Sequence, residues 1–154
     1  MTSLCCDVLA SLKGKTLVTA ESCTGGGIGA ALTAIAGSSE VYKGGVISYT
    51  NAAKETVLGV SRETLEQFGA VSEPVAQQMA AGVRKLLHAD VAVSVTGLAG
   101  PGGDDFGNPV GTVFIGYEDG KQSVVQKNLF PGDREQVRTQ TIKAALNLIL
   151  TYNG

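Results

Sequence analysis

Histidine is almost absent from this chain: among 154 residues there is one, His88. It falls where a helix C-terminus is expected, a place where a cation is favourable for reasons unrelated to catalysis. A Ser-His-Asp triad is therefore not supported, and without a histidine cluster or an H-E-x-x-H pair neither is catalytic zinc. Cysteine is nearly as scarce. Cys5 and Cys6 are adjacent and Cys23 is alone, an odd count without C-x-x-C spacing, which suggests neither a disulfide framework nor a metal site. Cys5 and Cys6 read as buried helix residues. Charge is also thin, at 17% of residues and −2 net with Lys and Arg scattered, so neither nucleic acid nor a membrane surface is expected as a partner. No basic-then-apolar leader and no apolar run of transmembrane length is seen, which gives the expectation of a cytoplasmic protein. No metal or other cofactor is expected.

What the chain has in abundance is glycine, 21 residues, concentrated at strand-to-helix junctions. Thr16 to Ala20 is a β-branched and apolar run that reads as a buried strand, and the apolar spacing of Ile28, Leu32 and Ile35 reads as a helix stopped at Gly37. Between them lie Glu21-Ser22-Cys23-Thr24 and three glycines. Glycines there let a ligand approach the backbone, and the free amides of the first helical turn favour an anion. A tight turn capped by Ser22 would use the same residues, and the pattern is neither a Walker A loop nor G-x-G-x-x-G. Three side chains capable of acting as nucleophiles sit at the tip.

The remaining elements repeat the alternation. Ser3 to Lys13 reads as a helix with Ser3 as N-cap. Gly44 to Thr50 reads as a second strand, with Asn51 capping a helix to about Leu58. Ser61 to Phe68 is a short helix. Ser72-Glu73-Pro74 launches a longer one with Val75, Met79, Val83 and Leu86 on its inner face. Asp90 to Thr96 is a third strand that breaks into a Gly-rich loop, Gly97 to Gly103, long enough to suggest function. Thr112 to Tyr117 and Ser123 to Phe130 form a hairpin through Asp119-Gly120. Asp133 with Gln136 is a capping box for a last helix whose inner face carries Val137, Thr141, Ala145 and Leu148. The expectation is one domain over residues 1–154, an α/β fold of three α/β/α layers around a mixed, mostly parallel sheet of about five strands.

Ligands of such sheets bind beyond the carboxyl ends of the parallel strands. That rule gathers Ser22, Tyr49, Asn51, Lys54 and Thr96. Without histidine, a serine nucleophile needs another base, and Lys54 is the candidate, because desolvation and a nearby helix N-terminus lower a lysine's proton affinity. Tyr49 is placed to relay the proton. The alternatives are a solvated surface lysine and a core tyrosine with a wet hydroxyl.

The blocks A-E-S-C-T-G-G (Ala20 to Gly26), G-G-V-I-S-Y-T-N-A-A-K (Gly44 to Lys54), G-A-V-S-E-P (Gly69 to Pro74), S-V-T-G-L-A-G-P-G-G (Ser94 to Gly103), P-V-G-T-V (Pro109 to Val113) and F-P-G-D-R (Phe130 to Arg134) resemble the CinA C-terminal domain family. Its stand-alone PncC-type members are nicotinamide-nucleotide amidohydrolases, that is, NMN deamidases. The resemblance covers nearly the whole chain and implies a metal-free hydrolysis of the carboxamide of nicotinamide mononucleotide to nicotinate mononucleotide and ammonia. It implies Ser22 and Lys54 as the catalytic pair with Tyr49 nearby. Amides of Cys23, Thr24, Gly25 and Gly26 are expected to hold the oxyanion. Asn51, Thr96, Gly97, Gly100 and Arg134 are expected to line the substrate, with Arg134 and the loop glycines on its phosphate. The chain departs from the family in two places. It is too short for the pyrophosphatase domain of full-length members, and Asn108 stands where a basic residue is common. The expected partners are the small-molecule substrate and further copies of the chain in a homo-oligomer. The competing reading is a non-catalytic nucleotide-binding or protein-interaction module.

Overall fold

The computed structural model of the protein describes residues 1–153. Along the chain come α1 (Thr2–Ser11), β1 (Leu17–Glu21), α2 (Gly27–Thr33), a 3-10 turn (Ser38–Glu40), β2 (Tyr42–Ile47), α3 (Asn51–Leu58), α4 (Arg62–Phe68), α5 (Glu73–Leu86), β3 (Val91–Gly97), β4 (Thr112–Glu118), β5 (Ser123–Leu129) and α6 (Arg134–Asn153). The strands form one sheet in the order β2-β1-β3-β4-β5. β1 is parallel to both neighbours, and β4 runs antiparallel to β3 and β5. Only β4 opposes the rest, as a short hairpin connection dictates.

Alternation along the strands divides the core in two. Leu17, Val93 and Val95 pack with Val8, Ile28, Leu32, Val137 and Ile149 of α1, α2 and α6. Val18, Ala20 and Ala92 point the other way, onto Leu58, Leu65, Val75, Met79 and Val83 of α3, α4 and α5. The capping box of α6 is present, since the Asp133 amide donates to Gln136 Oε1 and the Gln136 amide donates to Asp133 Oδ1, both at 2.9 Å.

Several expectations need correction. α1 starts at Thr2 with Met1 in the cap position and no side-chain cap, so Ser3 does not cap it. β2 lies earlier than expected and ends at Ile47, because beyond it the chain must turn into α3. The cap of α3 is Thr50, whose hydroxyl accepts from the Ala53 amide at 3.2 Å, which leaves Asn51 as the first helical residue. Cys5 is buried and Cys6 exposed, since neighbours on a helix are about 100° apart and cannot both face the core. Leu86 is exposed because α5 ends there, although Val75, Met79 and Val83 are buried as the spacing demands. His88 follows α5 with φ of +52°.

What positions the site is the register of the three parallel strands. Glu21 of β1 lies level with Ile47 of β2 and Val95 of β3. The next residue of each strand, Ser22, Ser48 and Thr96, therefore arrives at one edge. The Ser22 amide donates to the Val95 carbonyl at 3.1 Å and the Ser48 amide to the Glu21 carbonyl at 2.8 Å, which locks that edge in place.

Candidate active site

Beyond this edge lies a cleft of about 510 Å³ lined by Ser22, Cys23, Tyr49, Asn51, Lys54, Thr96, the loop from Gly97 to Gly103 and Arg134, with Ala70 and Val71 closing one side. Its volume is in the range of small-molecule sites.

Lys54 sits one turn into α3. Helical side chains lean toward the helix N-terminus, so its amine reaches back to the strand edge. There Nζ donates to the Ser48 carbonyl at 2.7 Å and lies 3.0 Å from Ser22 Oγ. Lys54 is 2% exposed, and Ser22 is buried as well. The alternative of a solvated surface lysine does not fit this geometry. Burial lowers its pKa from 10.5 to about 8, with Cys23 acting in the other direction. About a tenth of the amine is then neutral at pH 7.

Of the three nucleophile-capable side chains, only Ser22 meets the Lys54 amine. The Thr24 hydroxyl donates to Glu21 Oε1 at 2.7 Å. The Cys23 thiol is pushed up to about 11, chiefly by burial, so it stays protonated and unreactive at neutral pH.

The expectation that the first amides of α2 stand free for an anion is corrected by Glu21. Its buried carboxylate accepts from the Ile28 amide at 2.8 Å and the Gly29 amide at 3.1 Å. A resident anion already occupies the helix N-terminus. Gly25 and Gly26 have φ of +59° and +99°, values that favour glycine. They turn the chain into α2 and do not line the cleft, and neither does Thr24. Among the described residues, the amides of Cys23, Thr24 and Gly26 make no backbone hydrogen bond.

Tyr49 is exposed at the rim. Its hydroxyl accepts from Arg134 Nη2 at 2.9 Å, while Arg134 Nη1 donates to the Gly100 carbonyl at 2.8 Å. Arg134 thus bridges the start of α3 and the Gly-rich loop across the cleft mouth. No hydrogen bond joins Tyr49 to Ser22 or Lys54 among the described residues. The Thr96 hydroxyl donates to the Ala70 carbonyl at 2.8 Å. Asn108 joins Asp104 Oδ2 at 2.7 Å to the Val71 carbonyl at 3.1 Å, so it anchors the loop where a basic residue would carry charge.

Sequence reasoning missed two residues. Glu21 read as part of a polar tip, although its place one residue after a buried strand stretch beside the α2 start could have marked it. Arg138 donates from Nε to the Cys23 carbonyl and from Nη2 to the Thr24 carbonyl, each at 3.0 Å. A sequence separation above 100 residues hides that contact. No cluster of three or more His, Cys, Asp or Glu side chains able to hold a metal is found among the described residues, and no helix is long and apolar enough to cross a membrane.

Comparison with known proteins places this geometry. The CinA C-terminal domain family matches residues 2–152. The nicotinamide-nucleotide amidohydrolase PncC of Enterobacter agglomerans is 51% identical over 90% of this chain and 85% of its own length. A CinA-like protein of Sulfurihydrogenibium is 49% identical over 90% of this chain but only 34% of its own length, and several other relatives are likewise about three times longer than the matched region. A competence-damaged protein (CinA) superfamily structure from Klebsiella pneumoniae superposes with a TM-score of 0.96 at 38% identity, covering 99% of this chain and 96% of that one. The competence/damage inducible protein CihA of Agrobacterium tumefaciens gives 0.96 at 40% identity, covering 99% and 95%. With the family match spanning almost every residue and the fold shared throughout, the chain belongs to the CinA C-terminal domain family.

Proposed function

We propose that this chain is a nicotinamide-nucleotide amidase, hydrolysing the carboxamide of nicotinamide mononucleotide to nicotinate mononucleotide and ammonia with Ser22 as nucleophile and Lys54 as base. The observation that carries the reading is the buried Lys54 amine 3.0 Å from Ser22 Oγ on the floor of the cleft. The substrate is taken from the relative named as a nicotinamide-nucleotide amidohydrolase, which matches most of both chains.

In this reading neutral Lys54 takes the Ser22 proton as Oγ attacks the carboxamide carbon. Because Lys54 Nζ itself reaches Ser22 Oγ and no hydrogen bond among the described residues joins Tyr49 to either, the transfer is direct, and Tyr49 serves the cleft rim with Arg134. The tetrahedral oxyanion is met by the amide of Cys23, which lines the cleft and is fixed before the reaction begins. Lys54 returns the proton to the leaving nitrogen and ammonia departs. Water then attacks the acyl-Ser22 ester, giving its proton to Lys54, which passes it to the departing Ser22 Oγ as nicotinate mononucleotide leaves. Asn51, Thr96 and the glycines from Gly97 to Gly100 line the nucleotide, and Arg134 takes its phosphate.

The whole activity belongs to one domain over residues 1–154, acting without metal in the cytoplasm as a homo-oligomer. Support for assembly is the open edge of β2 and of β5, with Ile47 58% and Leu129 66% exposed. The test of the substrate is incubation with nicotinamide mononucleotide, reading ammonia and nicotinate mononucleotide together. Equal amounts of both are expected. Nucleotide binding without either product would instead favour a binding module.

A further inference from the structure

The Arg138 guanidinium contacts neither the cleft nor a carboxylate. Among the described residues the sole ion pair is Arg62 with Glu55. Arg138 is half-buried on α6, and two of its donors go to two successive carbonyls of the loop that follows Ser22. Among the described residues Arg138 has no carboxylate partner, and its planar fork is turned instead onto backbone carbonyls.

The covalent connectivity gives these contacts a role. The Cys23 carbonyl belongs to the same peptide as the Thr24 amide. The Thr24 carbonyl shares its peptide with the Gly25 amide, which donates to the Ser22 carbonyl at 3.1 Å. The Ser22 carbonyl in turn shares its peptide with the Cys23 amide. Each hydrogen bond to a carbonyl polarises the N–H on the other side of that peptide and strengthens it as a donor. The chain through Thr24 therefore starts at Arg138 and ends on the Cys23 amide, which has no backbone partner among the described residues and belongs to a residue lining the cleft, while the contact to the Cys23 carbonyl holds the same residue from its other side.

We propose that Arg138 is a positioning residue for the oxyanion site: from 3.0 Å contacts to the Cys23 and Thr24 carbonyls it fixes Cys23 and polarises its amide, which lines the cleft and receives the developing negative charge. The inference rests on Ser22 being the nucleophile but not on the identity of the substrate. A charge held one or two peptides away favours the transition state over the neutral amide, so Arg138 acts on kcat and leaves ground-state binding alone.

A small alkyl fluorophosphonate separates these ideas. Ser22 Oγ bonds to phosphorus, fluoride leaves with the P–F electron pair, the proton passes to Lys54, and the phosphoryl oxygen seeks the same Cys23 amide. Intact mass measures the rate of Ser22 labelling. Arg138→Gln is expected to slow labelling, and kcat on nicotinamide mononucleotide, by about 10-fold, less than the roughly 10²- to 10³-fold cost of removing an oxyanion donor outright. KM is expected to stay within about threefold. Should Arg138→Gln fold poorly, Arg138→Lys decides, since it keeps the charge but reaches one carbonyl only. A loss of about fivefold or more at unchanged melting temperature is expected for it. Labelling of Arg138→Gln or Arg138→Lys at the wild-type rate overturns the inference. If the wild-type protein labels readily but does not turn over the nucleotide, the substrate reading fails while this one stands. If the wild-type protein does not label at Ser22, both fall.

Discussion

Burying Lys54 has a cost that pH should reveal. A pKa lowered from 10.5 to about 8 corresponds to roughly 3 kcal/mol at about 1.4 kcal/mol per unit, and with 2% of Lys54 exposed solvent screens little of it. Below pH 8 the folded and unfolded chains both hold the proton, and the folded state bears the full cost of a buried ammonium. Between pH 8 and 10.5 the folded state has released the proton while the unfolded chain retains it, so stability rises with pH; above 10.5 neither holds it. Lys54→Met removes the titration, and the loss of the donor to the Ser48 carbonyl adds an offset that does not change with pH. Urea unfolding of both proteins at pH 7 and pH 10 should therefore show wild type gaining about 2–3 kcal/mol on the variant. Activity reads the same group. Log kcat/KM is expected to climb with unit slope to about pH 8 and then level. A stability difference that stays constant across this range, or a rate that keeps climbing to pH 10, would refute the argument that burial prepares the base.

Other consequences follow from the same geometry. Arg134→Leu should raise KM for the mononucleotide by roughly 10- to 100-fold through loss of a charge-assisted contact, with a much smaller change for a nucleoside lacking phosphate; steady-state kinetics on the pair checks this. Glu21→Ala should destabilise the fold by about 2–4 kcal/mol in urea unfolding, because the amides of Ile28 and Gly29 and the Thr24 hydroxyl lose a buried acceptor. Activity is expected to survive exhaustive chelation, and loss that a divalent ion restores would count against a serine mechanism.

The fold could be read from the chain because its signals are local. Val137, Thr141, Ala145 and Leu148 repeat at helical spacing and are all buried, and Asp119-Gly120 marked the hairpin that turns β4 against the sheet. Residues at strand ends could be located in the same way, which brought Ser22, Tyr49, Lys54 and Thr96 to one cleft. What could not be read is set by contacts between distant segments. Whether Lys54 was wet or dry depended on how far α3 leans over the strand edge. That Tyr49 bonds Arg134 rather than Ser22 or Lys54 depended on the start of α6, 85 residues away. The place of Glu21 beside the α2 start hinted at its role, but only the fold shows its carboxylate on the Ile28 and Gly29 amides and not on a ligand.

The central claim is that the Ser22 hydroxyl performs the chemistry. The most direct test is ammonia release from nicotinamide mononucleotide by Ser22→Ala beside wild type, with nucleotide affinity measured on both by calorimetry. A fall of roughly 10³-fold or more in kcat with affinity preserved is expected, because only the transition state loses its nucleophile. A Ser22→Ala protein that binds the nucleotide and still releases ammonia at a rate near wild type would contradict the account.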